Sequence, residues 1–342
     1  MKNVSIPVLI IFGATASGKT SILFELSNNL QIEVVSADSM QVYRGMDIGT
    51  AKPSLQERER LPHHLIDVCD PAEQFNVGDF VRHANEACAE IASRGKLPVV
   101  SGGTGFYLKN FILGLSEAPP SDLTIREQLK KELNENGPAA LMNELENCDP
   151  ISADRIHIND EYRLLRALEV YRSCGKPLSS FAVNPSSNSG ENRQNNFKFI
   201  TIGLSRPREE LYSRINLRCK QMFEQGLANE VRSLFEKGYT PNDPGLRAIG
   251  YREFFTEDLD TADGVKKWRL SQDLDGVQAL IAQNSRRYAK RQITFFKNMP
   301  DVRWIEINKT ETIRLIQEEL SQRRNIPSEC RDAEIAEEKT WF

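Results

Sequence analysis

The most constraining feature of this chain is the segment 13–20, whose sequence GATASGKT fits the pattern G-x-x-x-x-G-K-[S/T] at every position. An apolar run at 8–12 predicts a buried strand directly before it, and leucines at 23, 26 and 30 recur at helical spacing after it. In such a strand–loop–helix unit, backbone N–H groups and the helix N-terminus surround an anion. The sequence therefore predicts a diphosphate or triphosphate site, without deciding which compound binds or which bond breaks.

The predicted phosphate site uses the whole loop, which consists of Gly13, Ala14, Thr15, Ala16, Ser17, Gly18, Lys19 and Thr20. Lys19 supplies a point charge to a terminal phosphate. The Thr20 hydroxyl is suited to holding Mg²⁺, because that ion prefers oxygen ligands. A plain structural turn is the alternative interpretation.

Further strands are predicted at 32–36, 64–68 and 97–101, where short apolar runs rich in β-branched residues recur. Between the last two, Asn76 and Asp79 form a box-like cap for a helix that stops at Gly95. Alternating strands and helices predict an α/β fold, with a P-loop NTPase-like parallel sheet flanked by helices.

The pattern changes after Pro119 and Pro120, where a helical, charged segment without a strand pattern begins. We predict a helical insertion at 121–196, ending in a Ser- and Asn-rich loop at 179–196, within a core formed by 1–120 and 197–325. Apolar runs predict core strands at 197–204 and 302–307. Residues 326–342 form an acidic tail that we expect to be flexible.

Composition excludes several classes of protein. The net charge is −4, so nucleic-acid contact would require a local basic patch. None of the six cysteines form a C-x-x-C pair and all four histidines lie in the first half, which excludes a C-terminal Cys/His zinc module. Such cysteines are typical of reduced thiols in a cytoplasmic protein. The longest apolar run is too short to span a bilayer, so we expect no membrane partner.

Two polar residues follow predicted strands. Asp38 comes after the second strand, and Thr104 lies among three glycines after the fourth. Ligands of open parallel sheets bind beyond the carboxyl ends of the strands, which is where the phosphate loop also lies. Asp38 could ligate Mg²⁺ or accept a proton from an attacking amine, or it could cap the next helix. The glycines around Thr104 could serve only a tight turn.

A basic segment lies near the end of the chain, where residues 276–300 contain no acid. Arg287, Lys290 and Arg291 share one helical face, and Tyr288, Phe295 and Phe296 lie nearby. Interleaved cations and aromatics indicate a surface for a phosphate backbone, although a solvated cationic face is the alternative.

Two further arginine pairs are candidates for anion contacts. Arg214 and Arg218 are spaced i, i+4 and could reach phosphate oxygens, or could pair with the nearby Glu209 and Glu210. Arg163 and Arg166 in the insertion are either surface charges or nucleic-acid contacts.

Several blocks together resemble one family, the tRNA dimethylallyltransferases, also called tRNA isopentenyltransferases. They are GATASGKT at 13–20, DSMQVYRGMDIGTAKP at 38–53, HHLID at 63–67, GGTGFY at 102–107, RIHIND at 155–160, IGYR at 249–252 and AKRQ at 289–292. They span about residues 8–300, and the block at 38–53 is far more specific than a phosphate loop. Many members have Pro where this chain has Ala14, and the eukaryotic C-terminal zinc finger is absent. The resemblance is therefore to the bacterial type.

The resemblance implies transfer of a dimethylallyl group from dimethylallyl diphosphate to N6 of adenosine-37, 3′ of the anticodon, in tRNAs that read codons beginning with U. It implies Mg²⁺ as cofactor and the tRNA anticodon stem-loop as partner. We expect a monomer. Lys19 and Thr20 match the diphosphate and metal loop, Asp38 the general base, Thr104 a residue close to the reacting centre, and Arg218 a second diphosphate contact.

The same resemblance implies a set of residues in contact with tRNA, to which the basic face adds Arg287, Lys290 and Arg291. The set consists of Asp38, Ser39, Met40, Gln41, Thr104, Arg126, Asn159, Asp160, Glu161, Tyr162, Arg163, Arg247, Ala248, Ile249, Gly250, Tyr251 and Arg252.

Three other functions remain open at this point. A small-molecule or nucleotide kinase has the same loop, and its arginines would close over ATP. A prenyltransferase acting on free adenylate would need neither the basic face nor the insertion. A non-catalytic RNA-binding module would leave the intact phosphate loop unexplained.

Overall fold

The computed structural model describes residues 5–181, 191–192, 197–258 and 267–322. The strands are β1 (Ile6–Gly13), β2 (Ile32–Ser36), β3 (His63–His64), β4 (Leu97–Gly102), β5 (Glu191–Asn192), β6 (Phe197–Ser205), β7 (Phe255–Asp258), β8 (Lys267–Leu270) and β9 (Arg303–Glu306). The helices are α1 (Lys19–Ser27), α2 (Leu55–Arg60), α3 (Val77–Ser93), α4 (Gly105–Leu113), α5 (Leu123–Cys148), α6 (Pro150–Arg155), α7 (Glu161–Cys174), α8 (Arg208–Glu224), α9 (Leu227–Glu236), α10 (Leu274–Phe296) and α11 (Lys309–Gln322). The chain forms two compact units, which divide at Ile112/Leu113 and at Ser189/Gly190.

The larger unit is built on one sheet with the strand order β3-β2-β4-β1-β6. Strands β9 and β5 both pair with β6, and every pair in this sheet is parallel except β5 with β6. The predicted α/β class and parallel sheet are thus confirmed. Because the strands run in one direction, the carboxyl ends of β1, β2, β4 and β6 meet at one edge.

The buried apolar runs explain why these segments become strands. All but the first residue of β1 are buried, and β2 and β4 are buried throughout, as expected for strands covered on both faces. The strands predicted at 8–12, 32–36, 97–101 and 197–204 are confirmed, and the one at 302–307 is observed as β9.

The strand predicted at 64–68 is wrong, because β3 ends at His64. Leu65 and Asp67 have φ values of 63° and 59°, which break the extended path. The Asp67 carboxylate is held by the side chains of Lys52 and Arg58, at 2.5 and 2.7 Å. These tertiary ion pairs hold the segment as a turn.

Helix α3 begins with the predicted capping box, since Asn76 and Asp79 bond reciprocally through side chain and backbone. Later in the chain, α10 buries one face, which includes Val277, Ile281 and Gln292. The predicted helices at both places are confirmed.

The smaller unit contains α5, α6 and α7, which confirms the predicted helical character of the segment after 121. Its core contains Leu129, Leu145, Leu164 and Leu168. Part of the predicted loop at 179–196 has regular structure, namely the end of the 3₁₀ helix Leu178–Phe181 and strand β5. Residues 182–190, 193–196 and the predicted acidic tail lie outside the described residues.

Candidate active site

The phosphate loop joins the carboxyl end of β1 to the N-terminus of α1, as predicted. A Cβ atom on Gly13 would lie 2.7 Å from the carbonyl oxygen of Leu204 on the neighbouring strand, so only glycine fits there. Gly18 has a φ of 107° and Ala16 a φ of 62°, which turn the backbone around the loop. The buried Ser17 hydroxyl has no hydrogen-bond partner among the described residues.

The ammonium group of Lys19 lies inside the curve of this loop. Its Nζ donates to the carbonyl oxygens of Gly13 and Ala14, at 2.9 and 3.1 Å. Burial lowers the pKa of Lys19 to about 8, and Arg218 acts in the same direction, while Asp38 partly offsets both. A bound anion would favour the charged form of this lysine.

Three arginines surround the same loop, one directly after β6 and two on α8. Arg206 Nε donates to the carbonyl oxygen of Ser17 at 2.6 Å, and Arg214 Nε donates to that of Ala16 at 2.9 Å. The Arg218 guanidinium donates to the Thr15 hydroxyl at 3.4 Å, and burial lowers the pKa of Arg218. Each arginine brings positive charge to the edge of the loop.

The competing interpretation of Arg214 and Arg218 as ion-pair partners of Glu209 and Glu210 finds no support among the described residues. It is Arg206 that pairs with Glu210. Sequence reasoning did not single out Arg206. Its position directly after β6, which is parallel to β1, could have indicated it.

Asp38 and Thr104 lie at the adjacent ends of β2 and β4, as predicted. The backbone N–H of Met40 donates to the Asp38 carboxylate at 2.9 Å, which makes a local turn, and no helix follows directly. The Thr104 hydroxyl accepts from the backbone N–H of Ser39 at 3.0 Å, and the Thr104 N–H donates to the carbonyl oxygen of Ala37. These bonds fix the two segments to each other.

Gln292 on α10 connects the two glycine loops. Its Oε1 accepts from the backbone N–H of Thr15 at 2.9 Å, and its Nε2 donates to the carbonyl oxygen of Gly103 at 2.7 Å. Tyr288, one turn earlier, interacts with Thr104 and Gln292, and burial together with the charge of Asp38 raises its pKa to about 12. Sequence reasoning placed Tyr288 only among the aromatics of the basic surface and gave Gln292 no role, because partners so distant in sequence leave no local pattern.

Two cavities meet at Asp38. The larger, about 940 Å³, is lined by the phosphate loop from Thr15 to Thr20 apart from Ser17, and by Arg214 and Arg218. The smaller, about 320 Å³, combines apolar side chains such as Ile215, Met222 and Ile281 with polar ones. Asp38, Thr15, Thr50, Arg218 and Tyr288 line both.

The oxygen groups of the larger cavity fit a magnesium ion that is held mainly by its substrate. Thr20 and Asp38 both line this cavity. The described residues contain no cluster of three or more His, Cys, Asp or Glu side chains able to hold a metal on their own. Mg²⁺ commonly binds through one or two protein oxygens together with phosphates and waters. The donor set therefore fits Mg²⁺ with a bound diphosphate.

The stretch 247–252 contributes to the smaller cavity through Arg247, Ala248, Ile249, Gly250 and Arg252. Tyr251 differs from its neighbours, because its side chain is fully buried and its hydroxyl donates to Glu230 at 2.6 Å. Burial, with Glu230 adding to the effect, raises the pKa of Tyr251 well above its usual value. The Tyr251 side chain therefore offers no surface to a nucleic acid.

The basic face of α10 is exposed as predicted. Arg287, Lys290 and Arg291 have no carboxylate partner among the described residues. The Arg291 guanidinium lies 5.8 Å from the centre of the Tyr288 ring, and Arg291 and Tyr288 both line the smaller cavity. The face thus begins at the mouth of this cavity.

In the smaller unit, Asp160 caps α7 and pairs with Arg163 at 3.1 Å, and the Tyr162 side chain is exposed. The Arg126 guanidinium lies 4.9 Å from the Tyr162 ring centre and bonds to the buried Glu169. Arg166 also pairs with Glu169, so it is not a free surface charge. Contact of Asn159, Glu161 and the others with tRNA stays a prediction.

No helix in the described part of the chain combines the length and the apolar composition needed to cross a membrane.

Comparison with known proteins gives consistent matches along the chain. Residues 41–299 match the family model described as IPP transferase, and residues 6–67 match that described as isopentenyl transferase. A curated tRNA dimethylallyltransferase of Geobacter sulfurreducens is 43% identical over 301 residues, with 87% of this chain and 91% of that protein covered. The one from Syntrophobacter fumaroxidans is 41% identical over 323 residues, with 92% and 89% covered.

Solved structures agree with these matches. The tRNA isopentenylpyrophosphate transferase of Bacillus halodurans has a TM-score of 0.64 and 36% identity, covering 94% of this chain and 97% of that chain. A eukaryotic dimethylallyltransferase acting on tRNA has a TM-score of 0.75 and 28% identity, covering 94% of this chain and 80% of that chain.

Proposed function

This chain belongs to the IPP transferase family and transfers a dimethylallyl group to tRNA, and we propose that dimethylallyl diphosphate is the donor and N6 of adenosine-37 the acceptor. The observation that carries the proposal is the position of Asp38, where a cavity lined by a phosphate loop meets a second, partly apolar cavity. The diphosphate would occupy the larger cavity and the acceptor base the smaller one.

The positive charges support a diphosphate leaving group. The allylic C–O bond breaks as negative charge grows on the diphosphate oxygens, so groups that stabilise that charge accelerate the step. Lys19, Arg214 and Arg218 all line the larger cavity, and the backbone N–H groups of the loop add fixed dipoles. The Thr104 hydroxyl bonds to the backbone N–H of Ser39 and would thereby hold the segment that carries Asp38 in a fixed position.

Asp38 is the proposed general base. The lone pair on adenine N6 is delocalised into the ring and is weakly nucleophilic, so orienting the amine and accepting its proton favours attack. The Asp38 carboxylate has one hydrogen bond from the Met40 N–H, which fixes its orientation. Its other oxygen has no protein donor among the described residues.

Thr20 is the residue that would hold Mg²⁺ beside the diphosphate, which leaves the Asp38 carboxylate available as the base. When bound, the ion neutralises charge on phosphate oxygens. The protein's own contribution is the Thr20 oxygen that holds the ion and the cationic groups around the leaving group.

The acceptor base must leave its stack to reach Asp38, at a cost of roughly a few kcal/mol. Phosphate contacts can offset this cost, and the exposed cations Arg287, Lys290 and Arg291 are suited to them. The family resemblance adds Arg126, Asn159 and Arg163 in the smaller unit. We propose a monomer acting in the cytoplasm, where free cysteines such as the five described ones stay reduced.

One labelling experiment tests the proposal. The enzyme is incubated with labelled dimethylallyl diphosphate and unmodified tRNA, with AMP or ATP as alternative acceptors and an adenosine-37-to-guanosine tRNA as control. We expect label in the tRNA, none in the control tRNA and none in AMP. Label in AMP alone would establish the free-adenylate prenyltransferase. Phosphate transfer to AMP in a parallel reaction with γ-labelled ATP would establish the kinase.

A further inference from the structure

The DIGTAK segment, residues 47–52, takes no part in the chemistry described above, yet it forms part of the wall of the smaller cavity. Gly49 and Thr50 line that cavity together with Asp38. The backbone of this segment is held in place by contacts with Glu230 and Tyr251.

Glu230 on α9 binds this backbone directly. Its Oε2 accepts from the N–H groups of Asp47 and Ile48, at 2.9 and 2.8 Å, and its Oε1 accepts from that of Gly49 at 3.2 Å. The Tyr251 hydroxyl donates to the same Oε1 at 2.6 Å. One carboxylate therefore satisfies three successive backbone donors and a buried hydroxyl, and bonds to an ionised acceptor are the stronger kind.

The Tyr251 ring adds a second restraint. A Cβ atom on Gly49 would lie 2.4 Å from the nearest ring atom, so the backbone rests directly on the ring and only glycine fits. Gly250, with a φ of 102°, lies against Gly49 in turn. The sequence blocks at 38–53 and 249–252 thus meet at the cavity wall.

The far end of the segment is fixed separately. The buried Lys52 ammonium bonds to Asp47 and Asp67, at 2.8 and 2.5 Å, and the Gln41 amide donates to the carbonyl oxygen of Thr50 at 3.3 Å. Glu230 itself lines neither cavity. Any effect of Glu230 on the reaction must therefore pass through the segment it holds.

We propose that Glu230 is a positioning residue for the acceptor side of the reaction. It fixes the backbone of residues 47–49 so that Gly49 and Thr50 form a rigid wall for the acceptor base beside Asp38. This inference rests on the proposed function, in which the base enters the smaller cavity. It gives the DIGTAK block and Tyr251 a role without direct contact to a phosphate.

The test compares Glu230→Gln with Tyr251→Phe and with the control Glu236→Gln, an exposed carboxylate on the same helix. The glutamine side chain has the same size, but one carboxylate oxygen is replaced by an NH₂ group. That group cannot accept a hydrogen bond from the backbone N–H groups it would face. We expect kcat/KM for tRNA to fall about tenfold in Glu230→Gln. The dissociation constant for dimethylallyl diphosphate, titrated without tRNA, should stay unchanged. Tyr251→Phe keeps the ring and should give a smaller fall, and Glu236→Gln should match the wild type.

Amide hydrogen exchange supplies a readout that does not depend on activity. In Glu230→Gln, exchange should accelerate at the amides of residues 47–49 and remain unchanged elsewhere in the larger unit. Wild-type kinetics for Glu230→Gln on a tRNA that the wild-type enzyme labels would overturn this inference alone. Equal losses of diphosphate and tRNA binding, with faster exchange throughout the unit, would also overturn it by showing a purely structural role. Failure of the wild-type enzyme to label tRNA would overturn the proposed function and this inference together.

Discussion

At the scale of single residues, Lys19 is a phosphate-loop group whose charge depends on its surroundings. Its pKa is lowered to about 8 by burial, so the free enzyme loses this charge as the pH rises through that value. Bound diphosphate favours the protonated form. Affinity is therefore full below about pH 8, and the dissociation constant should rise by up to about tenfold per pH unit above it.

Calorimetric titration of diphosphate between about pH 6.5 and 9.5 would measure this dependence, since that range extends roughly one to two units on either side of the lysine pKa. Asp38 raises the pKa of Lys19, so Asp38→Asn should move the midpoint to lower pH. Lys19→Ala should bind more weakly at every pH and lack this midpoint. An identical profile in Lys19→Ala would assign the titration to the ligand.

A substitution of Asp38 should affect the chemical step and leave tRNA binding intact. Removing a general base typically lowers turnover by about 10²- to 10⁴-fold, and we expect Asp38→Asn to fall in this range under single-turnover conditions. Its affinity for tRNA should persist, because phosphate contacts supply most of that energy. Glu25→Gln is the matched control, since Glu25 lines the same larger cavity. Normal turnover in Asp38→Asn would remove this residue from the mechanism.

At the scale of elements, helix α10 combines three tasks on two faces. One face packs into the core through Val277 and Ile281, and further along the same face Tyr288 and Gln292 reach the glycine loops. The other face is cationic and exposed. Periodicity predicted the cationic face, because its three residues lie close together in the sequence of one helix. It did not predict the Gln292 bridge, because the bonded Thr15 lies 277 residues away.

Reversal of the cationic face tests its contact with tRNA. Changing Arg287, Lys290 and Arg291 to Glu should weaken tRNA binding and lower the slope of log K against log salt by about one per lost phosphate contact. A control with the same change in net charge is the reversal of Arg232, Lys237 and Arg314, which are exposed and line neither cavity. An unchanged slope in the first variant, measured by filter binding, would show that the face is only solvated.

At the scale of the whole molecule, sequence patterns predicted the parallel sheet and the phosphate loop, since both are encoded by neighbours along the chain. The strand predicted at 64–68 failed because Asp67 forms ion pairs with Lys52 and Arg58 that no local pattern reveals. The roles of Arg206 and Glu230 were not predicted for the same reason, because their partners are distant in sequence and are brought to them only by the fold. Composition and periodicity describe elements, whereas the supporting contacts of the site are tertiary.

The stability of the larger unit should depend on one buried carboxylate away from the site. Glu33 on β2 is 5% exposed and is bonded by Lys96, His64 and Arg94. Burial opposes its ionisation, but these bonds outweigh that effect and lower the pKa of Glu33 to about 2. Because this pKa is below that of the unfolded chain, the resulting stability is present above about pH 4.5 and is lost as the pH falls towards 2.

We therefore expect Glu33→Gln to lower the free energy of unfolding by about 1–3 kcal/mol at pH 7, since the partners of Glu33 are partly exposed, and the difference from wild type to shrink between pH 5 and about pH 2. Urea unfolding followed by tryptophan fluorescence measures it, since Trp268 and Trp304 lie in the same unit as Glu33. Glu90→Gln is the control, because Glu90 pairs with Arg94 at the exposed surface and should contribute little. A Glu33→Gln deficit that stayed constant down to pH 3 would show that packing, and not ionisation, makes Glu33 important.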